Sequence, residues 1–306
     1  MKAVVVGAGG FVGRHVVRAL SQAGWEVAPV VRKGTLPADP HPAMREIEGS
    51  FEEIRDAAQF ARLIVNAAGT PTVGFSFRSP RSDLHSNVSL LAEILEVARL
   101  ADNPPYVVTI SSAAVYGDSG SLPMAESAQP RPASPLGTHK WMAELLGRSY
   151  AENFGVDVTA IRLFSVYGAG LRKQLFWDAC TRLTAGGNAS FFGTGEETRD
   201  WLHVEDAAAL VARVADLQPK GFQIYNGGTG IETSTRRIVA GLSRHLAHHG
   251  GFSFSGDRRP GDPARMVADV ERVGAIGWKP RRQLDAGLAE YAAWFAQQPS
   301  AAPIDA

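Results

Sequence analysis

The sequence predicts an α/β fold, a doubly wound parallel sheet with a smaller C-terminal lobe. Three features of the 306-residue chain carry that expectation. Short β-rich apolar runs alternate with longer amphipathic helical runs through the first half, as expected of a parallel sheet covered on both faces. A glycine-rich turn joins the first such strand to the first helix. After about Gly168 the alternation lapses, and only "GFQIYNGG" supplies a further strand before a mixed tail.

In chain order, strands are expected at "KAVVVGA", "EVAPVVR", "REIEG", "LIVNAAG", "YVVTISS" and "VTAIRLFSVY", the last as one continuous element. Helical spacing runs from Gly13 to Ala23, Asp83 to Leu100 and Gly137 to Asn153, each too long for an ordinary loop. These expectations place 1–168 and about 202–226 in a dinucleotide-binding domain. The smaller lobe takes 169–201 and about 227–306, and "QQPSAAPIDA" reads as a frayed end.

Thirty-one basic and thirty-one acidic residues leave a formal net charge of zero, so no global field draws the chain to nucleic acid or an anionic membrane. Any anion site has to be local. The lone cysteine, Cys180, rules out an internal disulfide framework and sits in the apolar "LFWDACTRL", a packing position. No stretch reaches the roughly 18 apolar residues of a membrane span. The chain enters a strand directly at "MKAVVV", which points to a soluble, cytoplasmic protein.

"VVVGAGGFVGRHVV" places Gly7, Gly10 and Gly13 between a strand and a helix. Glycine permits a tight turn and a close backbone approach to a pyrophosphate, while the helix N-terminus offers free amides and a favourable dipole. The context is Rossmann-like, although the spacing is G-x-x-G-x-x-G rather than G-x-G-x-x-G. An NAD-binding fold of this kind ends its second strand with a carboxylate for the ribose 2'-hydroxyl. Here that strand ends with Arg32 and Lys33, two cations suited to a 2'-phosphate, so the expected cofactor is NADP or NAD with a lean to NADP.

"SSAAVYG" at 111–117, "SPLGTHK" at 134–140, "RLFSVYG" at 162–168 and "GTGEETRDWLHVEDAA" at 193–208 together resemble the extended short-chain dehydrogenase/reductase family, and within it the nucleotide-sugar epimerases and dehydratases. The resemblance spans nearly the whole chain. It implies cofactor contacts from Gly7, Gly10, Phe11, Val12 and Gly13, from Arg32, Lys33 and Ser50, and from Ala67, Ala68 and Gly69. It also implies a strand-end hydroxyl followed by a Tyr-x-x-x-Lys pair, in which tyrosine moves the proton and lysine anchors the nicotinamide ribose. Ser112 matches the hydroxyl and Lys140 the lysine. Leu136 stands at the tyrosine position, on the same helix face as Lys140.

An isobutyl group exchanges no proton, and a positioned acid or base contributes about 10²- to 10⁴-fold in rate. Several stand-ins remain open from the sequence: His139, a side-chain type suited to proton transfer at neutral pH, the phenols of Tyr116 and Tyr167 in their V-Y-G turns, a substrate-assisted route, and water on Ser112. Ala113 and Ala114 occupy the places of the Asp-Glu pair that the similar 4,6-dehydratases use, which argues against dehydration.

For the nucleotide sugar, the resemblance assigns Arg199 and Arg259 to the pyrophosphate, Phe192 to the base, and Ser165 to a sugar contact where asparagine is common. Guanidinium forks suit phosphate. His203, Glu205 and Asp206 in "RDWLHVED" head a predicted helix, where capping and bridging explain them better than a metal, so none is assigned. By the same resemblance the helices at 83–100 and 137–153 would form a homodimer seam, although their apolar content also fits packing on the sheet.

The expected function is an NAD(P)-dependent nucleotide-sugar epimerase acting by transient oxidation and hydride return, with atypical acid/base chemistry. The alternatives are an NADPH-dependent nucleotide-ketosugar reductase and a catalytically silent binding protein.

Overall fold

The computed structural model describes residues 1–36, 41–70, 72–117, 121–257 and 263–298. Seven parallel strands form the central sheet in the order β10-β6-β5-β4-β1-β2-β3. They are β1 (Lys2–Val6), β2 (Glu26–Arg32), β3 (Arg45–Ile47), β4 (Ala61–Asn66), β5 (Tyr106–Ser112), β6 (Val158–Leu163) and β10 (Phe222–Gly227). The strand order reverses between β1 and β4, which opens a crevice at the carboxyl ends of those strands.

Helices α1 (Phe11–Gln22), α2 (Phe51–Ala57), α3 (Val73–Arg78), α4 (Pro80–Leu84), α5 (Leu90–Leu100) and α6 (Pro135–Phe154) fill the first half. Those that follow are α7 (Gln174–Thr184), α8 (Val204–Leu217), α9 (Thr235–His245), α10 (Glu271–Ala275) and α11 (Leu284–Ala296). One sheet face packs Val5, Leu63 and Val108 against α1 and α8; the other packs Val4, Ile64 and Val107 against Ile94 and Leu95 of α5 and Ala143 of α6. Alternate residues of each strand therefore feed opposite cores, as a two-faced sheet requires.

Two expectations meet a different local structure. The run "VTAIRLFSVY" breaks at Phe164 into β6 and β7 (Ser165–Tyr167), because the Phe164 amide bonds to Gly227 O at 3.0 Å and β7 then turns to pair with β9 (Thr198–His203). The helix expected over 83–100 contains a π-helical turn, His85–Ser89, between α4 and α5. That wider turn lies where the helix faces the crevice, a common place for such bulges.

The remaining strands build the smaller part: β11 (Glu232–Ser234) beside β9, and β8 (Ala189–Phe191) beside β12 (Phe252–Phe254). Its core joins Phe176, Trp177 and Cys180 of α7 to Ile238 and Leu242 of α9 and Tyr291 and Phe295 of α11. Burial pushes the Cys180 thiol pKa up to about 12, which fits a packing residue. Val273 of α10 and Trp278, from the C-terminal stretch expected in the lobe, pack instead into the core of the central sheet. Asp206 accepts the amides of Arg281 and Arg282 at 3.0 and 2.9 Å, and Glu205 pairs with Arg282, so the head of α8 is tied to the chain just before α11. His203 caps the same helix, accepting the Glu205 amide at Nδ1. Among the described residues no helix is long and apolar enough to cross a membrane.

Candidate active site

The glycine turn is dictated by space. Gly7 has φ 85°, and a Cβ on it would stand 2.5 Å from the Ala68 amide nitrogen; one on Gly13 would stand 2.1 Å from Gly7 O. Only hydrogen fits at either position, so β1, α1 and the end of β4 close into a cradle. Gly10 is the N-cap of α1 and leaves no side chain over the helix amides, while Phe11 and Val12 are half-buried behind it. Ala67 is bonded to Val6 O, and Ala68 is held by the Asn66 side chain at 3.2 Å.

Next to this cradle, α6 lies against the turn that follows β5. A Cβ on Gly137 would stand 2.4 Å from Ala114 O, so the glycine brings the helix down on the 113–115 turn. Ser112 caps that turn, its hydroxyl accepting from the Ala114 amide at 3.1 Å. Leu136 and Lys140 both face inward, at 7 % and 9 % exposure. The Lys140 ammonium donates to Ile110 O at 2.6 Å, and a Cβ on Gly69 would lie 3.2 Å from Nζ and 2.7 Å from Asn87 Oδ1. Burial lowers the Lys140 pKa to about 8, with Asp83 and Glu144 pulling it back up.

A buried side-chain network adjoins the lysine. Asp83, fully buried, accepts from the Thr70 hydroxyl and from Asn87 Nδ2 at 3.2 Å, and its second oxygen meets His139 Nδ1 at 2.5 Å. Asn87 Oδ1 is enclosed and has no partner among the described residues.

The other proposed stand-ins are placed otherwise. Tyr116 is fully buried, donates its hydroxyl to Asn226 Oδ1 at 2.6 Å, and carries the Arg162 guanidinium 4.7 Å above its ring. Burial raises its pKa to about 12. Tyr167 is enclosed between Phe176, stacked at 4.7 Å, and the backbone at Gly287, where a Cβ would fall 2.2 Å from its hydroxyl. Both rings lie in packed cores, and the Tyr116 proton is committed to Asn226. Beside Tyr116, Glu144 takes a two-pronged bond from Arg162, 2.9 and 2.6 Å, and the Ser111 hydroxyl at 2.5 Å.

At the end of β2, Arg32 is exposed, whereas Lys33 pairs with Glu48 at 3.1 Å and Glu46 accepts the Gly34 amide at 2.7 Å. The strand end is thus less positive than the sequence implies. The Ser50 hydroxyl is engaged in the cap of α2, donating to Glu53 Oε2 at 2.9 Å. On the smaller part, Arg199 and Trp201 share a face of β9, with Ser165 directly opposite Trp201, and Phe192 is exposed beyond β8. Arg199 Nη1 donates to Thr198 O at 2.7 Å. Arg259 lies outside the described residues.

Sequence reasoning passed over Asp83, Thr70 and Asn87, whose partners are far apart in the chain; the Asp83 to Asn87 helical spacing is their one local signal. It also passed over Asp200, fully buried, which accepts the amides of Thr229, Gly230 and Ala268 at 2.7, 2.8 and 3.1 Å and so fixes the turn after β10.

These residues fit a dinucleotide. The tight packing at Gly7 and Gly13 holds β1, α1 and the end of β4 together, Gly10 leaves the first amides of α1 uncovered by a side chain, and the Lys140 ammonium, with one carbonyl partner among the described residues, has donors to spare beside the orphaned Asn87 oxygen.

The comparisons agree with that reading. The chain is 30% identical to a UDP-glucose 4-epimerase of Mycolicibacterium smegmatis over 314 residues, covering 96% of this chain and 98% of the relative. It is 27% identical to UDP-glucuronate 4-epimerase 3 of Arabidopsis thaliana, covering 95% and 76%. The solved structure of MoeE5 in complex with UDP-glucuronic acid and NAD superposes with a TM-score of 0.87 at 28% identity, covering 97% of this chain and 99% of that one. Residues 3–228 match the model of the NAD dependent epimerase/dehydratase family, and with that match the chain belongs to this family, as an extended short-chain dehydrogenase/reductase.

Proposed function

We propose that this protein is a UDP-sugar 4-epimerase that oxidises the sugar transiently and returns the hydride. The observation that carries it is the buried Lys140 ammonium between Ile110 O and Gly69. Holding a cation there is costly, and a protein that merely bound nucleotide sugars would not need it. The relatives and the MoeE5 complex favour UDP-sugars, and their 4-epimerase names favour epimerisation over a one-way reduction.

When bound, the nicotinamide supplies the hydride acceptor and donor. The chain supplies the rest. Gly7, Gly10 and the N-terminus of α1 receive the pyrophosphate, with Phe11, Val12, Ala67 and Ala68 lining the approach. Lys140 donates to the ribose, and Ser112 holds the reacting sugar hydroxyl. Arg199, with Arg259, grips the UDP pyrophosphate, Phe192 covers the base, and Ser165 meets the sugar. Tyr116 and Tyr167 serve packing in this reading, and the smaller lobe is 169–201 with about 227 onward, apart from the 270–278 stretch on the sheet.

NAD is the cofactor of this reading: Lys33 is spent on Glu48, and the MoeE5 complex contains NAD. The exposed Arg32 favours a second reading, an NADPH-dependent nucleotide-ketosugar reductase. One experiment separates them. The dinucleotide released on denaturing the purified protein is identified by mass, and UDP-glucose and UDP-glucuronate are each incubated with the protein and followed by NMR. Bound NAD and appearance of the 4-epimer support the epimerase. NADPH consumed in step with a reduced ketosugar supports the reductase, and no turnover of either kind overturns both.

A further inference from the structure

We propose that His139, oriented by Asp83, is the proton carrier of this site in place of the missing phenol; the inference rests on the epimerase reading above and names the residue that completes it. Four observations bring it together. First, Leu136 removes the group that stands at this position in the family, and residues 136 and 139, three apart on α6, are neighbours about 5–6 Å apart at Cβ. Second, the His139 ring is fixed: Nδ1 meets Asp83 Oδ2 at 2.5 Å.

Third, Asp83 is in turn held. It is fully buried, and Thr70 from the loop after β4 and Asn87 from the π-helical turn both donate to it. A carboxylate only accepts, so it selects the imidazole with the proton on Nδ1 and leaves the Nε2 lone pair facing away. Fourth, Nε2 is open. Among the described residues it makes no hydrogen bond and is not one of the enclosed polar atoms lacking a partner, and the imidazole keeps 13 % of its surface accessible. A base held by a carboxylate, with its other nitrogen free, matches the general arrangement of an activated imidazole.

The proton balance closes. As the C4–H hydride leaves for the oxidised nicotinamide, the sugar C4–OH proton passes to Nε2, giving an imidazolium stabilised by Asp83 and a 4-keto sugar. When the hydride returns to the other face of the ketone, Nε2 gives the proton back to the new alkoxide, and the site ends as it began. His139 is the catalytic residue, whereas Asp83, Thr70 and Asn87 are positioning residues.

The test uses the full chain with its bound dinucleotide. Diethyl pyrocarbonate acylates unprotonated imidazoles, and peptide mass mapping resolves each of the eight histidines. Saturating UDP-glucose is expected to slow acylation of His139 at least about 10-fold and to leave the exposed His249 unchanged. Without protection, Nε2 does not face the sugar and the proposal is overturned. His139→Gln is expected to lower 4-epimer formation about 10²- to 10⁴-fold with KM changed only a few-fold, and adding Leu136→Tyr to that variant is expected to restore turnover. A His139→Gln rate within threefold of the wild type overturns the proposal. If the wild type itself binds dinucleotide and UDP-glucose but interconverts nothing, the epimerase reading fails, and the acylation result still decides whether His139 touches the nucleotide sugar.

Discussion

Lys140 shows how one side chain joins sequence, fold and function. Its place four residues after Leu136 is a feature of helix period, but the direction of its pKa is a feature of burial, which lowers it to about 8 against an unfolded value near 10.5. Between those values the unfolded chain binds the proton and the folded chain does not. Stability therefore rises with pH across about 8 to 10.5 on account of this group, and below 8 its desolvation cost is constant. Cys180 works in the opposite sense, because burial raises the thiol pKa to about 12, so folding keeps a proton that the unfolded chain loses above about 9. The difference between wild type and Lys140→Met isolates the lysine. In urea unfolding of the cofactor-free protein, the wild type is expected to gain on Lys140→Met by about 1 to 3 kcal/mol from pH 7.5 to 10. Parallel curves for the two proteins would show that Lys140 is already neutral or not enclosed.

α6 is the element on which the site depends, and its inner face was only partly legible in the sequence. Ser134 at its N-cap, Pro135 at its first turn and the left-handed Gly155 at its end follow ordinary capping chemistry. The glycine cradle was equally readable, since the backbone approach at Gly7 and Gly13 leaves no alternative residue. The ion pair of Glu144 and Arg162 was not, because its partners lie on α6 and β6 and nothing local marks them. The same holds for Asp83, whose partners Thr70 and His139 are 13 and 56 residues away. The break of β6 from β7 was hidden by Phe164, which keeps the run apolar while its amide changes partner. Removing one member of the Glu144–Arg162 pair strands a buried charge, at about 3–5 kcal/mol. Glu144→Leu is thus expected to lower the urea midpoint sharply, and Glu144→Leu with Arg162→Met to recover much of the loss. Equal midpoints for Glu144→Leu and the wild type would mean that the pair does not hold α6 to the sheet.

At the scale of the whole molecule, the helices that carry the site also present its outer apolar face. α6 buries Leu136, Gly137, Lys140, Ala143, Glu144 and Gly147, so its opposite face shows Met142 and Leu145, 40 % and 49 % exposed. Leu100 at the end of α5 adds another exposed apolar side chain, at 56 %. Single exposed leucines need no explanation, but these lie on the two helices that the family resemblance assigns to a homodimer seam. In a dimer formed there, a second copy would cover them, and α6, which bears His139 and Lys140, and α5, which continues from the turn bearing Asn87, would be clamped from outside as the sheet clamps them from within. Assembly and proton chemistry would then be coupled through α5 and α6. Sedimentation of the wild type is expected to give a dimer at micromolar concentration. Leu145→Glu, which would place a charge on that exposed face, is expected to give a folded monomer with weaker turnover. A wild-type monomer at those concentrations, or a Leu145→Glu protein that remains dimeric, would place the interface elsewhere or remove it.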